Sequence, residues 1–433
     1  MDYDTLMQDV ELRKIRKRLN ALRDDGKLLS DVVDDQGRQY VDLVMEGGGT
    51  LGLALAGYIW ALEEAGVRFL GVGGTSAGSI AAMLVATLAN PQERKSPALF
   101  KALGNVDFID FVDGGWTAKR LADALSAGRT LAAIGWGAVR GVNLLLRWRK
   151  TWGINDGDAF ERWLCEVLDG VGITSVEALE KRLTTVPPGL RLREAALSPE
   201  QGPRGWKLAI VAADVATETK VVFPRMGELY FDTATVHPAR FVRASMSIPL
   251  FFKALRPELP RPDGYQQRWD DTVGTRLQQG EELPRRAILV DGGIMSNFPI
   301  SEFRVRGTPP HRPTLGVKLG TSGRVQQVGG LFSFLLSLFN SARRVMDYDF
   351  LRRNPDYRQL VAYVDTSGYN WLKFSISQEE QTGLIRAGAR TALDFLEAFD
   401  WEKYKSFRTA MAVAEQREMG TIGESVQPPA ATG

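Results

Sequence analysis

The chain has 433 residues, 44% hydrophobic and 24% charged, with 54 basic side chains against 52 acidic ones and two histidines. A net charge of +2 excludes the strongly basic balance of a nucleic-acid binder, and the composition is that of an ordinary globular protein. The single cysteine, Cys165, excludes an intrachain disulfide and reads as a small core residue.

From the N-terminus, residues 8–24 place Leu12, Ile15, Leu19 and Leu22 at helical spacing, with Arg13, Lys14, Arg16, Lys17, Arg18 and Arg23 on the other faces. This is a basic amphipathic helix, expected to pack its apolar stripe on its own domain rather than lie on an anionic lipid surface. No secretory signal precedes it, and the most apolar run, 131–148, is interrupted by Arg140 and Arg147. No spanning helix is expected, and the protein is expected in the cytoplasm, at most peripheral to a membrane.

Beyond residue 40, short apolar runs alternate with helical patterns. Strands are predicted at 40–45, 68–72, 208–212, 220–223, 287–290, 315–319 and 361–364, and helices at 51–65, 79–88, 159–168, 176–184, 331–348 and 377–399. Such alternation predicts an α/β fold, a three-layer α/β/α arrangement around a central, mostly parallel sheet, with ligands bound at the C-terminal strand ends. Two stretches break the pattern. Residues 101–152, with Trp116, Trp136, Trp148 and Trp152, suit an insertion or cap near the site; residues 254–285, rich in Pro, Arg and Asp, read as a polar surface loop. The last dozen residues, 422–433, are expected to be disordered.

Three glycine-bearing turns carry the chemistry. Gly74-Thr75-Ser76-Ala77-Gly78 joins the strand at 68–72 to the helix at 79–88. Glycines two positions either side of a serine let a strand turn sharply into a helix with the hydroxyl at the tip, the geometry of a nucleophile elbow. Gly47-Gly48-Gly49-Thr50-Leu51-Gly52 follows the strand at 40–45. It satisfies G-x-G-x-x-G, but no acid closes the next strand, as a dinucleotide site requires, and no Gly-Lys-Ser/Thr completes a P-loop. Its N–H groups suit an oxyanion hole if the two strands are neighbours. Asp291-Gly292-Gly293 ends the strand at 287–290 and brings a carboxylate to another strand-end turn, from which it could take a proton from Ser76. Asp113-Gly114-Gly115 looks alike but lacks a clean preceding strand. Neither His237 nor His311 sits in a motif that fixes its orientation, so a carboxylate base is favoured over a triad histidine. No cluster with metal-ligand spacing is visible, and neither metal nor cofactor is expected.

In that order, the three turns resemble the signatures of the patatin-like phospholipases. Ala212-Ala213-Asp214, Val222-Phe223 and the stretch from Arg243-Ala244-Ser245-Met246-Ser247 to Phe252 are also similar, so the likeness covers roughly residues 40–320. The resemblance implies a patatin-like domain at 36–400, flanked by the helical segment 1–35 and a helix end and tail at 401–433. It further implies hydrolysis of lipid acyl esters by a Ser-Asp dyad through an acyl-enzyme. Ser76 would be the nucleophile, Asp291 its base and the Gly47, Gly48 and Gly49 backbone the oxyanion hole, with Gly52, Gly74, Gly78, Gly292 and Gly293 shaping the turns. The family usually carries Lys or Arg where this chain has Leu51, which puts a phospholipid preference in question. A non-catalytic lipid-binding or scaffold protein on the same fold is the alternative; fold alone does not guarantee activity. Headgroup, acyl position and oligomeric state are not legible.

Overall fold

A computed structural model describes residues 3–104, 106, 108–111, 152–193, 206–274, 281–304, 310–320, 328, 331–371 and 373–425. Most of the predicted insertion, including Trp116, Trp136 and Trp148, lies outside the described residues, as do 426–433 of the predicted tail.

The strands are β1 (Val32–Val33), β2 (Gln39–Met45), β3 (Val67–Thr75), β4 (Gly153–Asn155), β5 (Arg191–Leu192), β6 (Lys207–Asp214), β7 (Thr219–Phe223), β8 (Leu250–Phe252), β9 (Leu289–Asp291), β10 (Thr314–Leu319) and β11 (Val361–Val364). Helices longer than one turn are α1 (Tyr3–Met7), α2 (Val10–Asp24), α3 (Leu53–Glu64), α4 (Ala77–Thr87), α5 (Ser96–Gly104), α6 (Asp158–Asp169), α7 (Val176–Leu183), α8 (Ala239–Ser245), α9 (Tyr265–Val273), α10 (Leu331–Arg353), α11 (Gln378–Ala398) and α12 (Trp401–Ser425).

The main sheet runs β11-β10-β2-β3-β6-β7, and its first five strands are parallel. All of β3 and nearly all of β2 are buried, which is why these runs are almost continuously apolar rather than alternating. The sheet as a whole is mixed. β7 and β9 are antiparallel to β6, and the short β1 is antiparallel to both β2 and β5. The expectation of a mostly parallel sheet therefore holds for its centre and not for its margins.

The direction of β9 matters most. Along β6, Lys207 to Val211 pair with β3, and Ala212 to Asp214 pair with β9. Because β9 runs opposite to β3 beside the same strand, the two meet end to end. Thr75 is the partner of Val211, and Asp291 is the partner of the next residue, Ala212. A parallel β9, as the strand–helix alternation suggests, would not point its C-terminal end at the elbow.

The stretch 254–285 is not simply a polar loop. It forms α9, which buries Tyr265 and Trp269; the Tyr265 hydroxyl donates to the Leu229 carbonyl at 2.6 Å, and Trp269 packs 5.5 Å from the Tyr230 ring. Two aromatics four residues apart are enough to seat a helix whose other positions are polar.

α2 is capped by Asp9, whose carboxylate accepts from the N–H groups of Glu11 and Leu12. It buries Leu12, Ile15 and Leu19 against α3 and α11, while Arg18 pairs with Glu397 of α11. Its apolar stripe is thus spent on the domain. α11 in turn crosses α3 at backbone distance. A side chain at Gly57 would strike the Ile385 carbonyl, and one at Gly388 would strike the Ala54 carbonyl. No described helix is long and apolar enough to cross a membrane.

Because α3 begins at the glycine turn, this crossing holds the turn from behind. Gly388→Val is expected to force the helices apart and to lower stability by about 1–3 kcal/mol, as overpacking does. Urea unfolding measures it; an unchanged midpoint would mean that the crossing is not tight.

Candidate active site

Ser76 sits between β3 and α4 with φ 53 and ψ −122, a conformation that costs a non-glycine residue about 1–3 kcal/mol. Both flanking glycines are needed. A methyl on Gly74 would collide with the Gly78 backbone, and one on Gly78 would collide with the Met45 carbonyl of β2. Side chains hold the turn. The Ser76 N–H donates to the Ser245 hydroxyl at 3.0 Å, and that hydroxyl donates to the Val211 carbonyl at 2.6 Å. The Thr75 hydroxyl donates to the Ser296 carbonyl at 2.7 Å.

Thr75 and Asp291 pair with adjacent residues of β6, which sets the Ser76 hydroxyl against the Asp291 carboxylate, so the structure brings these two predicted residues together. Asp291 is 2% exposed. Burial pushes its carboxyl above the ordinary range, against the pull of the Arg343 guanidinium, the Ser76 hydroxyl and the Gly293 N–H, which donates to Oδ1 at 2.7 Å. A raised carboxylate is a better proton acceptor than an ordinary aspartate near neutral pH. Gly292 presses its backbone on the Val211 carbonyl, where no side chain fits.

The glycine turn lies alongside, since Met45 pairs with Gly74 across β2 and β3. Its three predicted donors are not equivalent. The Gly47 N–H is taken by the Asn297 carbonyl at 3.1 Å, so Gly47 is corrected to a structural member of the turn. The N–H groups of Gly48 and Gly49 donate to no acceptor among the described residues. Gly49 has φ 56 and abuts the Trp371 carbonyl, which also accepts from the Thr50 N–H at 3.1 Å. A methyl on Gly52 would press on the Ala77 methyl at 2.8 Å, bringing the two turns into contact. Leu51 is buried in the core, so the turn itself contributes no cation. A narrow apolar cavity of about 40 Å³ lies between Gly49, Ala77, Leu53, Ala56, Ala81 and Leu99.

The histidines are elsewhere. His237 Nδ1 is 3.3 Å from Cys165 Sγ and Nε2 is 3.2 Å from Asp169, a Cys-His-Asp row. The row does not make a nucleophile, because burial and the nearby Glu161 and Asp169 push the thiol up to about 11. His311 lies on the surface, its carbonyl accepting from the Asp31 N–H. Among the described residues, no group of three or more metal-ligating side chains is assembled.

Sequence reasoning missed Ser245, Asn297 and Arg343. Ser245 lay within a quoted stretch without a role; Asn297 and Arg343 reach the site through tertiary contacts that no local pattern announces. Ser245→Ala would strand a buried N–H at the elbow and is expected to cost about 1–3 kcal/mol. Thermal unfolding is the check, and an unaltered melting temperature would show that water replaces the hydroxyl.

Residues 43–304 match the model of the patatin-like phospholipase family. The uncharacterized protein YqhO of Bacillus subtilis strain 168 is 27% identical over 366 residues, covering 84% of this chain and all of YqhO. Among solved structures, VipD from Legionella pneumophila is similar at TM-score 0.40 and 16% identity, over 86% of this chain and 70% of VipD. The type III effector protein ExoU is similar at TM-score 0.33 and 16% identity, over 86% of this chain and 55% of that one. The match to the family model spans more than half of the sequence, and the chain belongs to the patatin-like phospholipases.

Proposed function

We propose that the protein is a lipid acyl hydrolase that works through a Ser76–Asp291 dyad. The observation that carries this reading is the meeting of Ser76, strained at its elbow, with the buried Asp291 carboxylate, beside a glycine turn whose Gly48 and Gly49 N–H groups donate to no acceptor among the described residues. Asp291 takes the Ser76 proton as Oγ attacks the ester carbonyl carbon. The oxygen that becomes negative is met by the N–H groups of Gly48 and Gly49, each such donor being worth about 10²–10³ in rate. Asp291 then gives the proton to the departing alcohol, leaving acyl-Ser76. A water, deprotonated by the same carboxylate, attacks the acyl-enzyme and frees the fatty acid.

Ser76→Ala and Asp291→Asn are expected to abolish ester hydrolysis, and Ser76→Ala to abolish fluorophosphonate labelling, while His311→Ala leaves both intact. A folded wild type that neither hydrolyses esters nor takes the label would favour a lipid-binding protein instead. Because Asp291 must be ionised to accept a proton, activity is expected above its pKa and lost as pH falls through it. That pKa is raised, so the acid limb of kcat/KM should lie above the ~3.9 of an ordinary aspartate. A limb at or below that value would remove Asp291 as the base.

The apolar cavity beside Gly49 and Ala77, about 40 Å³, has room for a few carbons of an acyl chain at the serine. Ala81→Phe fills it, and the expected result is loss of activity on long-chain p-nitrophenyl esters with the acetyl ester still cleaved. Equal loss on both would place the chain elsewhere.

A further inference from the structure

We propose that Arg343, on α10, is a positioning residue of this site that sets the orientation of the glycine turn against Ser76 and Asp291. The inference rests on the hydrolase reading above and adds to it a residue from beyond the stretch that matches the family.

Arg343 has contacts on both sides of the site. One terminal nitrogen donates to the Gly47 carbonyl at 2.7 Å and to Asn297 Oδ1 at 2.9 Å, and the Asn297 amide donates to the same Gly47 carbonyl at 3.2 Å. With the Gly47 N–H held by the Asn297 carbonyl, the first residue of the turn is fixed at both its donor and its acceptor. The peptide that follows carries the Gly48 N–H, so fixing the Gly47 carbonyl fixes the direction of that donor. Gly293 leaves room for the reach. A methyl there would sit 2.8 Å from Asp291 Oδ1, 3.0 Å from Arg343 Nε and 3.0 Å from Asn297 Oδ1, so the three groups converge on one glycine face.

The guanidinium is itself held in place, over Trp371 at 5.1 Å and Phe339 at 5.5 Å. One turn along α10, Asp347 lies 3.6 Å from Lys318, which pairs with Glu46 at 2.7 Å, and Glu46 immediately precedes Gly47. Two consecutive turns of α10 are therefore tied to the junction of β2 and the glycine turn. Leu51 leaves that turn without a cation of its own, and among the described residues it is the Arg343 charge that bears on Asp291. A lysine can supply the charge but not the planar guanidinium that lies over Trp371 and Phe339 and so fixes the direction of the donor.

The test compares wild type, Arg343→Met and Arg343→Lys with Ser76→Ala, using p-nitrophenyl butyrate hydrolysis and the rate of fluorophosphonate labelling. Methionine keeps an apolar stem against Phe339 and Trp371. The expected result for Arg343→Met is a kcat lower by roughly 10–100-fold, as for other supporting residues behind a reacting group. KM should stay within about threefold of wild type, since the residue does not touch substrate, and labelling should slow in parallel with kcat. Arg343→Lys should recover part of the loss. A folded Arg343→Met with wild-type kcat and labelling rate overturns the proposal. So does a kcat loss equal in both variants and accompanied by an equal fall in melting temperature, which would mark a structural role alone. If Arg343→Met does not fold, Arg343→Lys decides, full wild-type kcat counting against a need for the guanidinium. Ser76→Ala separates the two levels. Activity surviving in it sinks the hydrolase reading together with this one, whereas a dead Ser76→Ala beside a fast Arg343→Met sinks only the role of Arg343.

Discussion

The architecture depends on one strained residue. Ser76 occupies a backbone conformation that L-residues avoid, and it stays there because β3, β6, α4 and α8 all have their own reasons to be where they are. Its N–H is accepted by Ser245, and its neighbour Thr75 is anchored on Ser296. The two glycines of the elbow are contact surfaces as much as flexible joints, since Gly74 lies on Gly78 and Gly78 lies on the end of β2. The same close contact that permits the turn brings the glycine cluster after β2 to the serine.

The second constraint is the end-to-end meeting of β3 and β9 along β6. It delivers an aspartate to a serine 215 positions away through the pairing of two adjacent residues, Val211 and Ala212. No flexible loop has to find the carboxylate. Burial then raises Asp291 while Arg343 and the Ser76 hydroxyl oppose the rise, so the carboxylate is more basic than an ordinary aspartate.

Much of this was legible in the residues. Doubly buried strands announced themselves as unbroken apolar runs, and the helices at α3, α4, α6, α7 and α11 as the helical patterns that alternate with them. Ser76, Asp291, Gly48 and Gly49 stood out because turns of such sharpness admit few other residue types. What was not legible shares a cause. The direction of β9 depends on what it pairs with, not on its own apolar pattern. The loss of Gly47 as a donor depends on Asn297, whose carbonyl arrives from a different turn. Two aromatics converted a polar stretch into α9, and Arg343 was one arginine among many until α10 was set against the glycine turn. Local pattern encodes the elements; the groups that brace the site come from how those elements meet.

The glycine turn is braced by residues that come late in the chain: Arg343, the Trp371 carbonyl and, through α3, the Gly388 face of α11. A growing chain therefore carries both Ser76 and Asp291 well before it carries the parts that shape the turn between them. The elbow is thus made early, and the turn beside it is braced only when the last third of the polypeptide has docked. Contacts of such long sequence separation also form slowly, so an interval between making the elbow and bracing the turn beside it is built into the topology itself.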